Sequence, residues 1–265
     1  MNRLTGRVAL VTGSTQGLGE GIALRLGLAG AAVMVNGRSA DKGAAVVAKL
    51  HELGVQADFV QADLSLREQA AHAVERTATR FGRLDILINN AQTVPPRLEA
   101  EQAQTAQLVE IALASGLYAS LWTAQAAFPY FRRAGAGRIV NFGSIYGAFG
   151  ARYHTAYSAT KEAIRGLTRT LANEWGVYGI TVNAVLPSGI SPSYVASFRD
   201  RPDLRDAIAR KIPLRRHGRS AEDIGAAVVG LVCDEARYIT GESLYIDGGA
   251  HLNGLPQLNT PGSVE

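Results

Sequence analysis

One cysteine, two methionines and two tryptophans are all that 265 residues contain of these types, and only four of its 27 cationic side chains are lysines. Cys233 alone cannot close an intramolecular disulfide, and no Cys/His cluster has metal-ligand spacing, so no metal centre is expected. Cys233 ends the apolar run 226–233, where packing is its expected role. No apolar run approaches the roughly 20 residues of a membrane span. The opening Met1-Asn2-Arg3-Leu4-Thr5 lacks a signal-type apolar stretch, so a cytoplasmic protein without a membrane partner is expected. The net charge is only +4 and the arginines are scattered, which argues against a nucleic-acid groove. No Pro/Gly/Ser-rich linker interrupts the chain, so residues 1–265 are read as one domain.

What the chain does contain is alternation. Short apolar runs at 7–12, 32–36, 57–61, 85–89, 138–143, 180–186 and 243–247 are separated by stretches of helical periodicity. Runs such as Ile86-Leu87-Ile88 are apolar throughout, as strands covered on both faces must be. The expected fold is therefore α/β: a doubly wound, Rossmann-type sheet of about seven parallel strands with helices on both faces. Ser65-x-x-Glu68 and Ser220-x-x-Asp223 read as capping boxes, and Gly54 and Gly82 as helix stops. Long helices are expected over 101–132, bent near Gly116, and over 155–175. Residues 187–215 read as a lid without strong periodicity, and 251–265 as a tail.

The first apolar run leads into Thr12-Gly13-Ser14-Thr15-Gln16-Gly17-Leu18-Gly19 and then a helix. Three glycines let the backbone turn tightly and let phosphates approach the helix N-terminus, where free N–H groups and the dipole favour an anion. No Lys-Ser or Lys-Thr follows, which excludes the nucleoside-triphosphate loop. Far along the chain, Tyr157 and Lys161 are four apart, on one helix face, and Ser144 lies thirteen residues before the tyrosine. A cation beside a phenol is expected to draw its pKa down from about 10, giving a proton donor and acceptor for carbonyl–alcohol chemistry.

Together, residues 12–19, Asp63, Asn89-Asn90-Ala91, Ser144, Tyr157-x-x-x-Lys161, Asn183 and Asp247-Gly248-Gly249 resemble the short-chain dehydrogenase/reductase family, its 3-oxoacyl-reductase-like members in particular. The resemblance covers roughly residues 5 to 250. It implies a nicotinamide dinucleotide and hydride exchange with a carbonyl or alcohol carbon. It casts Ser144, Tyr157 and Lys161 as catalytic. It places Gly13, Ser14, Gln16, Gly17, Leu18, Gly19, Arg38, Ser39, Asp63, Leu64, Asn90, Ala91, Pro187, Gly189 and Ile190 at the cofactor, together with Tyr157 and Lys161.

After the second strand, Gly37 stands where a carboxylate would hold a plain ribose, and Arg38 follows. Arg38, with the Ser14 and Ser39 hydroxyls, could take a 2′-phosphate, so NADP(H) is expected over NAD(H). Gln16, neutral in the glycine loop, leaves NAD(H) possible.

Three departures from the family pattern cluster at the substrate end. Gly116 stands where the family's catalytic asparagine would, Gln92 replaces a glycine after Asn90-Ala91, and Ser188 intervenes between Pro187 and Gly189. Loss of the asparagine removes an anchor for the water that relays protons to the lysine. Activity could fall, Ser115 could substitute, or the glycine could make room for substrate. A cofactor-binding protein without turnover is thus the alternative to an active oxidoreductase, and dehydration or epimerisation by the same tyrosine a third reading.

Tyr146, Phe149, Tyr153, Pro192, Tyr194, Val195 and Phe198 suggest a small apolar or aromatic substrate, with Arg152 and His154 available to an acidic group. Leu113, Leu117, Leu121, Trp122 and Phe128, with Ile164, Leu167, Leu171 and Trp175, give the two long helices more apolar surface than one sheet needs. A homo-oligomer, most simply a tetramer, is expected.

Overall fold

The computed structural model describes residues 3–190, 194–195, 198–199 and 202–253. Seven strands form one sheet: β1 (Val8–Val11), β2 (Ala32–Gly37), β3 (Ala57–Gln61), β4 (Ile86–Asn89), β5 (Gly137–Phe142), β6 (Ile180–Pro187) and β7 (Ser243–Ile246). Their order is β3-β2-β1-β4-β5-β6-β7, and every neighbouring pair is parallel. Each expected strand is present, within a residue or so of its expected limits.

Period-two alternation assigns each strand's side chains to two cores. Ala9, Val11, Val33, Val35, Ile86 and Ile88 face α1 (Gly17–Leu28), α2 (Ala40–Glu52) and the later helix Ala226–Val232. Leu10, Met34, Leu87 and Ile139 face α3 (Arg67–Phe81), α5 (Ala119–Ala134) and α7 (Thr155–Trp175). Two covered faces explain why strands such as β1 and β4 read as near-continuous apolar runs. Burying each Leu, Ile or Val contributes about 1.5–3 kcal/mol. The remaining helices are α4 (Gln104–Leu113), α6 (Ile145–Phe149) and α8 (Pro202–Lys211); Ala226–Val232 becomes α9.

The expected bend near Gly116 is a widened π turn, Ala114–Tyr118, between α4 and α5. Gly82 ends α3 with φ 77°, the left-handed cap expected of it. The two capping boxes are not formed as read. The N-cap of α3 is Leu66, because the Ser65 hydroxyl donates instead to the Asp63 carboxylate at 2.7 Å, a stronger acceptor. The second is replaced by a one-sided contact to the residue before the serine. Asp223 reaches back to the Arg219 N–H (2.7 Å), while the Ser220 hydroxyl donates to the Ile190 carbonyl (2.8 Å).

The stretch expected to lack periodicity contains α8, whereas Pro192 and most of the expected tail lie outside the described residues. Cys233 caps α9 rather than lying within it, and is buried. Among the described residues no helix is long and apolar enough to cross a membrane.

Candidate active site

In a parallel sheet all strands deliver their following loops to one edge, and the crevice opens where neighbouring loops diverge. Here β1 is flanked by β2 and β4, so the chain turns away in opposite directions from this point. A cleft of about 350 Å³ lies there.

Its floor is the glycine loop. The Ser14 N–H donates to the Asn36 carbonyl (2.8 Å), and the Gly13 N–H donates to the Asn36 side chain (3.3 Å). Asn36 in turn donates to the carbonyls of Val60 (3.2 Å) and Ala62 (3.4 Å), tying three strand ends together. Across the loop, Asn90 donates to the carbonyls of Thr12 (2.9 Å) and Gly13 (3.0 Å). A Cβ on Gly19 would stand 2.4 Å from the Gly13 oxygen and 2.6 Å from the Asn90 amide, so only glycine lets this loop close.

Gln16 precedes α1 in extended backbone, and no side chain caps the helix. The first N–H groups of α1 therefore remain available at the cleft, which fits a pyrophosphate. The residues present thus suit a dinucleotide.

Most residues expected at the cofactor line this cleft: Gly13, Gln16, Gly17, Leu18, Gly19, Arg38, Asp63, Leu64, Asn90, Ala91 and Pro187, with Tyr157 and Lys161. Ser14, Ser39, Ser144, Gly189 and Ile190 do not line it. Ser14 departs from its expected role as a phosphate donor. Its hydroxyl is fully buried, donating to the Val11 carbonyl (2.6 Å) and accepting from the Asn36 N–H (3.0 Å). Ser39 is occupied as the N-cap of α2. Gly189 and Ile190 pair with Gly218, which holds the strand exit beside Leu18.

Arg38 is exposed at the rim. Burial pushes the Asp63 carboxyl up, but hydrogen bonds from Ser65 and the Arg38 charge outweigh it and hold that carboxyl below its usual range. Lys42 was missed in the sequence. It reaches the same rim and donates to the Gln16 side chain at 3.0 Å, placing a second cation there. The signal lay in its place, one turn into the helix that follows Arg38. Asn36 was missed as well, although an amide in the run Val33-Met34-Val35 is a polar group that needs partners.

The opposite wall carries the second cluster. Ser144 ends the turn after β5, 7% exposed, and accepts from the Tyr146 N–H at 3.1 Å. Tyr157 and Lys161 stand on α7, one turn apart. Burial raises the Tyr157 phenol above its ordinary value, opposed by a hydrogen bond with Ser144. Lys161 is 3% exposed, and burial pushes its ammonium down to about 7. Its Nζ donates to the Phe142 carbonyl at 2.7 Å and lies 5.5 Å from the Tyr157 ring centre. The expectation that Lys161 draws the phenol toward neutrality is not met here, because desolvation dominates both groups and moves them in opposite directions.

Rings crowd the adjoining space. Tyr146 packs against His154 at 4.8 Å, with His154 6.4 Å from Tyr157. Tyr194 packs at a tilt against Phe198 (4.9 Å) and meets His217 edge-on (5.3 Å). His154 is a poor partner for an acidic group. Burial and the nearby Arg97 hold it below its usual pKa despite its bond to the Arg152 carbonyl, so it is neutral at pH 7.

A glycine-looped dinucleotide cleft facing a half-buried tyrosine beside a buried lysine and serine defines a nicotinamide-dependent oxidoreductase of the Rossmann class. The chain matches the family described as Enoyl-(Acyl carrier protein) reductase over residues 13–251. It is 35% identical over 247 residues to a 3-oxoacyl-[acyl-carrier-protein] reductase, FabG, of Staphylococcus epidermidis, covering 92% of this chain and 98% of that one. It is 36% identical to an L-fucose dehydrogenase of Oryctolagus cuniculus over 96% of this chain and 88% of that one. Its fold superposes with TM-score 0.89 and 26% identity on a 7α-hydroxysteroid dehydrogenase complexed with NADH and 7-oxo glycochenodeoxycholic acid, over 97% and 98% of the two chains. The chain belongs to the short-chain dehydrogenase/reductase family, and it is an NAD(P)-dependent enzyme of carbonyl–alcohol redox chemistry.

Proposed function

We propose that this protein reduces the carbonyl of a small molecule with an apolar or aromatic body, using NADPH, and oxidises the alcohol in reverse. The observation that carries this reading is the cleft itself, which joins the glycine loop and an uncapped helix N-terminus to Tyr157 and Lys161 on its far wall. When bound, the nicotinamide supplies or accepts the hydride.

The chain's own residues handle the proton. Tyr157, kept protonated by burial, donates from its phenol oxygen to the developing alkoxide, and Ser144 hydrogen-bonds that same oxygen. Lys161, with a pKa near 7, gives and takes a proton at Nζ and binds the ribose. Arg38 and Lys42 at the rim supply positive charge for a 2′-phosphate, the basis for NADP(H) over NAD(H). The rings of Tyr146, Tyr194 and Phe198 favour an apolar or aromatic substrate body. The relatives' names range from an acyl carrier protein conjugate to a sugar and a steroid, so a panel spanning these classes is the proper search.

The test is nicotinamide absorbance with that panel in both directions, with Tyr157→Phe as the blank. Turnover above the blank is expected. No turnover above it, with tight cofactor binding retained, would replace this reading by that of a binding protein.

A homo-oligomer, a tetramer by resemblance, is part of the same proposal. Ile164 and Leu171, counted as surplus in the sequence, are buried within the chain. Leu117, Leu121, Trp122, Phe128, Leu167 and Trp175 stay only partly covered, and Gly166 opens onto free space. A second copy would cover this band.

A further inference from the structure

Gln92 and Gly116 depart from the family pattern separately in the sequence, but in space they are one feature. Gln92 leaves the end of β4 and turns its side chain toward the junction of α4 and α5. Its Nε2 donates to the carbonyls of Thr93 (3.0 Å) and Ala112 (3.1 Å) and lies 3.4 Å from the Ser115 hydroxyl. Two carbonyls around one end require that end to be the nitrogen, so the amide cannot be turned over. Its Oε1 therefore faces the π turn, where it is buried and has no hydrogen-bond partner. A Cβ on Gly116 would fall 2.1 Å from that oxygen, 2.9 Å from Gln92 Cδ and 2.7 Å from Thr160 Cγ2. The side chain that residue 116 lacks and the side chain that residue 92 carries occupy the same space.

We infer that Gln92 is a positioning residue of the proposed reductase site, its carboxamide entering from β4 to take the place otherwise filled from the helix, with Gly116 as the relief that admits it. The inference rests on the oxidoreductase reading above. Nε2 ties the cleft floor at Thr93 to the end of α4, and the Thr93 N–H completes the tie by donating to Ser115 (3.2 Å). Oε1 and the Thr160 methyl, on the residue before Lys161 in α7, both border the space that Gly116 leaves, and Gln92, Ser115, Tyr157 and Lys161 line one cleft. A buried acceptor without a donor is destabilising and rarely retained. A water admitted to this oxygen would supply the missing donor, and through it Gln92 would act on the proton step of Lys161. The missing helix amide is then a relocation, which removes the one argument for an inactive protein.

The test compares wild type with Gln92→Leu, Gln92→Gly, Gly116→Asn and the double variant Gln92→Gly/Gly116→Asn. Three readouts are taken: melting temperature, the pH dependence of NADPH affinity by NADPH fluorescence, and kcat with NADPH and ethyl acetoacetate or the best panel substrate. Gln92→Leu keeps the volume but no polar atom. It should melt near wild type, shift the pH dependence of NADPH binding and lower kcat about 10- to 100-fold at a KM within about threefold. Gly116→Asn alone should melt lower for want of room. The double variant should recover both melting temperature and kcat relative to either single change.

Wild-type kcat and pH profile in Gln92→Leu would overturn the inference, as would a double variant no better than the worse single. The melting and NADPH-binding arms need no turnover. Failure of the oxidoreductase reading shows separately, as wild-type NADPH oxidation no faster than that of Tyr157→Phe.

Discussion

Lys161 points its ammonium at the Phe142 carbonyl, 2.7 Å away, rather than at the neighbouring phenol of Tyr157. The lysine is thereby held at the strand end from which Ser144 also departs, so that the serine and the lysine share one anchor. Burial moves the Lys161 pKa from 10.5 to about 7. Between those values the unfolded chain keeps a proton that the folded chain has released, so stability should rise with pH across that window. The slope from this group is at most about 1.4 kcal/mol per pH unit. Lys161→Met should remove it, melting above wild type at pH 7 and converging toward pH 10.5. Parallel melting curves for the two proteins would contradict the assigned cause.

Burial raises the Tyr157 phenol, which gives its two directions of chemistry different pH dependences. A protonated phenol suits reduction at neutral pH, whereas alcohol oxidation needs the phenolate and should climb as pH approaches 10 and beyond. Tyr157→Phe should lower kcat by about 10²–10⁴-fold in either direction. NADPH affinity should change little. Retention of near-normal turnover in that variant would remove Tyr157 from the proton path.

Cofactor choice is best probed at Arg38 rather than Gly37. A Cβ on Gly37 would stand 2.5 Å from Thr15 Cγ2, so Gly37→Asp disturbs the glycine loop as well as the charge. Arg38→Ala should weaken NADPH about ten- to a hundredfold and leave NADH nearly unchanged, with Lys42→Ala adding a smaller loss. Calorimetric titration of both cofactors checks this. Equal losses for the two, or tighter NADH binding by the wild type, would reject the NADP(H) assignment.

On assembly, light scattering at micromolar concentration should give a multiple of the 28.1 kDa chain mass. Trp122→Glu, on the partly covered band, should shift the particle toward that mass. A stable, active wild-type monomer would show that the band needs no second copy.

The parallel sheet and both cores were legible because several runs, such as Ile86-Leu87-Ile88 and Ile139-Val140, are apolar on both faces, a pattern that suits a doubly covered strand. The glycine loop was legible for a similar reason, since its spacing restricts backbone shape whatever the surroundings. Hydroxyl directions were not. Ser14 and Ser65 each chose a nearby acceptor that the linear pattern does not rank, one a strand carbonyl and the other a carboxylate two residues back. Gln92 shows the stronger limit. In the sequence Gln92 and Gly116 read as two unconnected changes at the substrate end, and only the 2.1 Å approach shows that each accommodates the other.

The placement of β1 between β2 and β4 also bears on how this chain acquires its fold. Thr12 bonds the Ile88 carbonyl at 3.0 Å across 76 residues of chain, and Asn90 closes onto the same loop. These contacts cannot form until the whole of α2, β3 and α3 has been laid down, and such distant parallel pairings form slowly. A nascent or truncated chain ending before β4 would hold a complete glycine loop with nothing to close it. A dinucleotide that grips both sides of this seam binds only the finished arrangement. Cofactor supply during refolding should therefore raise the yield of native protein, not merely its activity.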